Sequence, residues 1–265
     1  MSKGGGAFGG RRNRTGIKGL TSLNLSEKAN NFSQFVRNLT GYAPAEKETP
    51  RYVNFLKKIA TSKRMPMPLA RLFWGVIGKY YIYTYMPEAR VAVINLMEKC
   101  NILKPDSRIA SFGAATGLFE LYLSKSIGPQ GKIIAVDFSG SLSRLGKKFA
   151  KKSGILNVEF VRALAEETKL PSNSQDIVMC AFTPFPFDIK LWPKVLTEVK
   201  RLLDNKKTSY LVLANMVSYE NRLITYLIHS IERNGFKRAE AHIFGFPKKP
   251  KELLLLAIFK KPKVV

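Results

Sequence analysis

The chain has 265 residues, 45% of them hydrophobic, enough for one large domain or a domain with an extension. Its 44 Lys and Arg against 19 Asp and Glu leave a net charge of +25. Such a field suits a polyanionic partner, RNA ahead of an anionic membrane surface, unless it reflects a general basic bias. The two cysteines and two histidines are too few for a disulfide framework or a His-rich metal centre, so a reducing compartment and no metal are expected.

Residues 1–26 are Gly-rich, carry Lys3, Arg11, Arg12, Arg14 and Lys18, and have no acid before Glu27. They read as a disordered basic tail without a secretory h-region. A cytoplasmic location is the simplest expectation, although an acid-free, Arg-bearing start also suits an organelle transit peptide. Residues 27–86 read as a helical extension or lid. Phe32, Phe35, Val36 and Leu39 form one helical stripe, and Tyr52, Phe55, Leu56 and Ile59 form a second. The aromatic stretch Leu69–Tyr85 is broken by Arg71 and Lys79, so its apolar run is too short to span a bilayer. It reads either as a lid or as a helix lying on a membrane surface.

Residues 87–265 alternate between the two periodicities. A helix at Pro87–Cys100 precedes a strand at Arg108–Phe112, a helix at Gly117–Ile127, a strand at Lys132–Asp137 and a helix at Ser141–Lys152. Strands Val158–Arg162 and Asp176–Ala181 follow. Then come a helix near Ile189–Leu203, a strand at Ser209–Asn215, a helix near Glu220–Asn234 and strands Arg238–Phe244 and Leu253–Phe259. This order predicts an α/β fold, a parallel sheet with helices on both faces. The hairpin-like connection between the last two strands makes at least one of them antiparallel.

The first strand of this domain runs into Gly113-Ala114-Ala115-Thr116-Gly117, and the second ends on Asp137. A strand, a small-residue loop, a helix and then a strand closing on an acid make the nucleotide corner of a doubly wound sheet. Ligands sit at the carboxyl ends of such strands, which also nominates Phe138 and the segment Cys180–Pro184 with Ala181. The Gly113/Ala115/Gly117 spacing is the short form of the loop and suits an adenosine ligand without a pyrophosphate. Asp137 would accept the ribose hydroxyls and Phe138 would pack on the adenine.

On these residues the chain resembles the class I S-adenosylmethionine-dependent methyltransferases, particularly the ubiquinone and menaquinone methyltransferase branch, from about Pro87 to the C-terminus. The resemblance implies S-adenosylmethionine as cofactor and a seven-stranded Rossmann-like sheet ending in an antiparallel strand. It also implies that the segment before the first strand closes over the site. Two positions depart from the pattern. Ser111 stands where an acid usually faces the methionine end of the cofactor. Leu164, followed by Ala165, stands where an Asp usually accepts from the adenine amine; the Ala165 N–H could still meet a ring nitrogen.

No catalytic base is evident. Asp188 is a weak candidate, and methyl transfer from a sulfonium needs mainly in-line positioning. Phe182, Phe185 and Phe187 could stack on a planar acceptor or simply pack. Cys180, His229 and His242 read as structural or surface residues. Three functions therefore stand: a methyltransferase acting on RNA or an RNA-associated substrate, an inactive RNA-binding scaffold of the same fold, and a methyltransferase of quinone-like or lipid-like small molecules. Oligomeric state is not legible.

Overall fold

In the computed structural model, the residues described are 18–19, 25–41, 87–182, 191–205, 207–218, 222–246 and 249–261. The second N-terminal stripe, the Leu69–Tyr85 stretch, Phe185, Phe187, Asp188 and most of the tail lie outside them.

The most apolar runs, Arg108–Phe112, Lys132–Asp137 and Ile177–Ala181, are buried on both faces and form the middle of one sheet, whereas the later strand Val158–Arg162 leaves Glu159 and Arg162 exposed. Arg108–Phe112 (β2), Lys132–Asp137 (β3), Val158–Arg162 (β4) and Ile177–Ala181 (β5) are joined by Tyr210–Ser218 (β6), Lys237–Phe246 (β7) and Lys249–Lys260 (β8). A two-residue strand, Lys18–Gly19 (β1), pairs with Phe244 and Gly245 at the outer edge, so part of the basic segment joins the sheet. The spatial order is β1-β7-β8-β6-β5-β2-β3-β4. Among the described strands, only β8 runs antiparallel, inserted between β6 and β7. The chain leaves β2 toward β3 and β4, then returns to place β5 on the other side of β2. That reversal opens a crevice at the carboxyl ends of β2 and β5.

Alternate strand residues feed two cores. Ile109, Ile133, Ile177 and Val212 face Ser26–Thr40 (α1), Pro87–Lys99 (α2), Leu118–Leu123 (α3) and Gly140–Ser153 (α4). Ala110, Ile134, Val178 and Leu213 face Trp192–Leu202 (α5) and Arg222–Arg233 (α6). The helix expected over Gly117–Ile127 is shorter: α3 tightens into a 3-10 turn at Ser124–Ser126, where the Ser124 hydroxyl donates to Leu121 O at 2.8 Å.

The first stripe folds as α1, burying Phe32, Val36 and Leu39. Phe32 meets Tyr122 edge-on at 4.9 Å, and Lys152 of α4 donates to Asn38 O and Leu39 O at α1's C-terminal end. Thus α1 is seated against α3 and α4. Among the described residues, no helix is long and apolar enough to cross a membrane.

At the opposite ends of the strands, Arg108 donates to Asp176 and Asp204, each at 2.7 Å, and Lys207 meets Asp176 at 2.8 Å. Burial alone would raise the Asp176 carboxyl, but the Arg108 and Lys207 partners hold it below the ordinary range. This network ties β2 to β5 away from the crevice.

Candidate cofactor site

The loop after β2 forms a cradle because three alternate residues turn left-handed: Gly113 (φ 71°), Ala115 (φ 51°) and Gly117 (φ 67°). Ala115 reaches this region at a cost of about 1–3 kcal/mol, a strain typical of functional turns. The Gly113 and Ala114 N–H groups both donate to Val136 O, at 2.8 and 3.1 Å. The loop is thereby pinned to β3. A side chain at Gly117 would strike Phe160, whose Cε1 lies 2.3 Å from where a Cβ would stand. Gly146 of α4 makes a similar close approach, with Thr116 O at 2.7 Å.

Asp137 closes β3 and binds both flanking loops. It accepts from Ala115 N–H at 2.9 Å and from Ser139 N–H at 2.8 Å, and it is only 6% exposed. Burial raises its carboxyl above the ordinary value, while the two N–H bonds oppose the rise. Each carboxylate oxygen still has lone pairs for a vicinal diol. Ser139 caps α4, its hydroxyl accepting from Leu142 N–H at 3.4 Å. Phe138, half-buried between Asp137 and this cap, offers its carbonyl to Arg162 Nε at 3.3 Å.

After β4, Ala163 N–H donates to Asp137 O at 3.1 Å, which brings the Leu164–Glu167 turn beside the carboxylate. Leu164 and Ala165 are half-buried there. The turn is held from behind by Glu198 of α5, which accepts from the Thr168 N–H at 2.9 Å and from its hydroxyl, and pairs with Arg201 at 2.7 Å. Ala181 ends β5 across the crevice, and Phe182 follows at φ 55° with its N–H on Ala214 O at 2.7 Å. All ten nominated residues, Ser111 included, gather at the carboxyl ends of β2 to β5 or in the loops that leave them.

Cys180 is buried in the opposite core and its thiol is pushed far up by burial, so it is a packing residue. His229 lies 3.6 Å from Glu232, and His242 lies 3.0 Å from Glu240, both outside the cradle.

One residue at the site escaped sequence reasoning. Glu120 of α3 is 3% exposed, and its Oε1 accepts the Ser111 hydroxyl at 2.6 Å. An acid amid Leu118, Phe119, Leu121 and Leu123 was the available signal, because a carboxylate inside an apolar helix is rarely buried without a use.

The sequence profile described as "Methyltransferase domain" matches residues 109–206, from β2 through α5. The chain carries a class I S-adenosylmethionine-dependent methyltransferase domain. It is 27% identical over 143 residues to the "Ubiquinone/menaquinone biosynthesis C-methyltransferase UbiE" of Pasteurella multocida, covering 53% of this chain and 52% of that protein. The chain spans about half the length of the curated relatives it matches. Among solved structures, a SAM-dependent methyltransferase from Aquifex aeolicus aligns at TM-score 0.51 and 19% identity, covering 63% of this chain and 87% of that one. The [4+2]-cyclase SpnF aligns at TM-score 0.57 and 14% identity, covering 67% and 83%. These likenesses are of fold, and the presence of a cyclase among them means that the fold alone does not name a reaction.

The cofactor of the methyltransferase domain is S-adenosylmethionine, and the cradle's chemistry fits it. Two buried carboxyls, Asp137 and Glu120, would repel a pyrophosphate but suit a diol and a cationic amino-acid tail. Asp137 would hold the ribose, Phe138 and the Leu164–Ala165 turn would flank the adenine, and the left-handed loop would run under the chain joining them.

Proposed function

We propose that the protein is an S-adenosylmethionine-dependent methyltransferase whose acceptor is RNA or a substrate carried on RNA. The methyl-transfer reading rests above all on Asp137, a buried carboxyl fixed by two loops at the crevice end of β3. When bound, the cofactor supplies an electrophilic methyl group. The chain's own part is to orient it and exclude water, which is the main requirement of such a displacement. Phe182 stands at the crevice edge, edge-on to Phe119 at 6.4 Å, where a planar acceptor could stack.

The acceptor class is supported by charge placement. Helix α4 has no acid, and Arg144, Lys147, Lys148 and Lys151 are exposed along it. Arg144 and Arg162 both approach Gly140, two residues from Phe138, so the basic stripe runs up to the cradle's rim. Such a stripe suits a phosphate backbone passing the crevice.

A small-molecule acceptor is the second reading, favoured by the quinone methyltransferase names of the curated relatives. The two readings separate when the purified protein is given methyl-labelled cofactor with either RNA or a quinol. Label entering RNA, with loss at high salt, is the expected result. Label entering only the quinol would favour the second reading. Stable RNA binding with no transfer and no cofactor binding would leave a non-catalytic scaffold.

A further inference from the structure

A carboxylic acid buried in a helix needs partners for both oxygens, and Glu120 has them for only one. Its Oε1 accepts from Ser111, whereas Oε2 is buried without a hydrogen-bond partner among the described residues. Thr116 Oγ1, in the adjoining loop, is likewise buried without one. Unpaired buried oxygens are rare in folded proteins and mark strain or a missing ligand. Ser111 is the penultimate residue of β2, just before the left-handed cradle, so its hydrogen bond places the Glu120 carboxyl at the strand's crevice end.

Among the described residues, two charged groups act on Glu120. Arg90 of α2 acts on Glu120 as a favourable charge, and Asp137 of β3 as an unfavourable one. The Arg90 guanidinium lies 4.4 Å from the centre of the Phe182 ring and 5.5 Å from that of Phe119. Burial nevertheless raises the Glu120 carboxyl above the ordinary glutamate value, with the Ser111 bond and Arg90 opposing. A group in that state gains most from a cation brought against it.

We propose that Glu120 replaces, from the helix, the acid that Ser111 lacks on the strand, and that its carboxylate binds the α-ammonium of the cofactor's methionine portion. Ser111 then acts as the positioning residue that holds Oε1 and leaves Oε2 to the ligand. The inference rests on the cofactor reading above. It also explains how the chain accommodates Ser111 without losing the methionine end of the site.

The test uses the full chain and three ligands: S-adenosylmethionine, S-adenosylhomocysteine and 5′-methylthioadenosine, which lacks the amino-acid end. Calorimetry should show Glu120→Gln weakening the first two at least tenfold while leaving methylthioadenosine within about twofold. The double variant Ser111→Asp/Glu120→Gln, which returns the acid to the strand, should recover most of that loss. Thermal melting gives an independent readout. A carboxyl whose folded pKa is raised costs stability as pH rises from its ordinary value through the folded one, so ligand-free Glu120→Gln should melt at or above the parent near neutral pH. Equal loss for all three ligands, or no loss for any, would overturn the assignment. Failure of the parent protein to bind any of the three would instead overturn the cofactor reading beneath it.

Discussion

Asp176 and Glu120 are both buried acids, yet their surroundings push them in opposite directions. Asp176 is held below its ordinary pKa by Arg108 and Lys207, so its stabilising contribution is complete above the ordinary carboxylate range and is lost as pH falls through the folded value. Arg108→Met should therefore move the acid-unfolding midpoint to higher pH. It should also cost about 1–2 kcal/mol near neutrality, a modest figure because the Arg108 side chain is 40% exposed. An unchanged acid limb in urea or thermal unfolding across pH would show that the network does not couple β2 to β5. Glu120 has the reverse sign, because burial outweighs Ser111 and Arg90. Its cost is therefore present at neutral pH.

Among the elements, α4 is the one whose position most directly sets the cradle. Gly146→Ala would put a methyl group 2.7 Å from Thr116 O and closer still to Phe160. The backbone oxygen cannot swing away, so α4 must shift. The expected loss is about 1–3 kcal/mol of stability, against at most about 1 kcal/mol gained in helix propensity. Cofactor affinity should fall with it, and denaturant unfolding beside ligand titration would reveal a variant that keeps both. The elements themselves were largely legible. β2, β3 and β5 are short, mostly apolar runs between turn residues, and the alternation with helices predicts their parallel pairing. Asp137 was legible because an acid closes an apolar strand. Glu120 was missed because helix periodicity assigns a single acid to the solvent side, although its apolar neighbours hinted otherwise, and the hydrogen bond to Ser111 reveals where it points. The Thr168–Glu198 clasp was hidden for a different reason: its partners are 30 residues apart.

At the scale of the whole molecule, the +25 charge is a property of the surface and says nothing of the fold. Its placement is what matters for RNA. If the α4 stripe tracks a phosphate backbone, replacing Lys147, Lys148 and Lys151 together by Gln should lower the slope of log affinity against log salt by about 2, taking about 0.7 per single-strand phosphate. The same variant should keep its cofactor affinity, since none of the three lies in the cradle. A slope unchanged by the triple replacement would move the RNA contact elsewhere on the molecule.

The most direct test is whether the cradle binds S-adenosylmethionine through Asp137. Calorimetry of the full chain with the cofactor should show one site. Asp137→Ala should weaken it by about 1.5–3 kcal/mol, through lost charge-assisted hydrogen bonds and a loosened Ala115 turn. Binding that is indifferent to Asp137, or tighter binding of a dinucleotide than of S-adenosylmethionine, would contradict it.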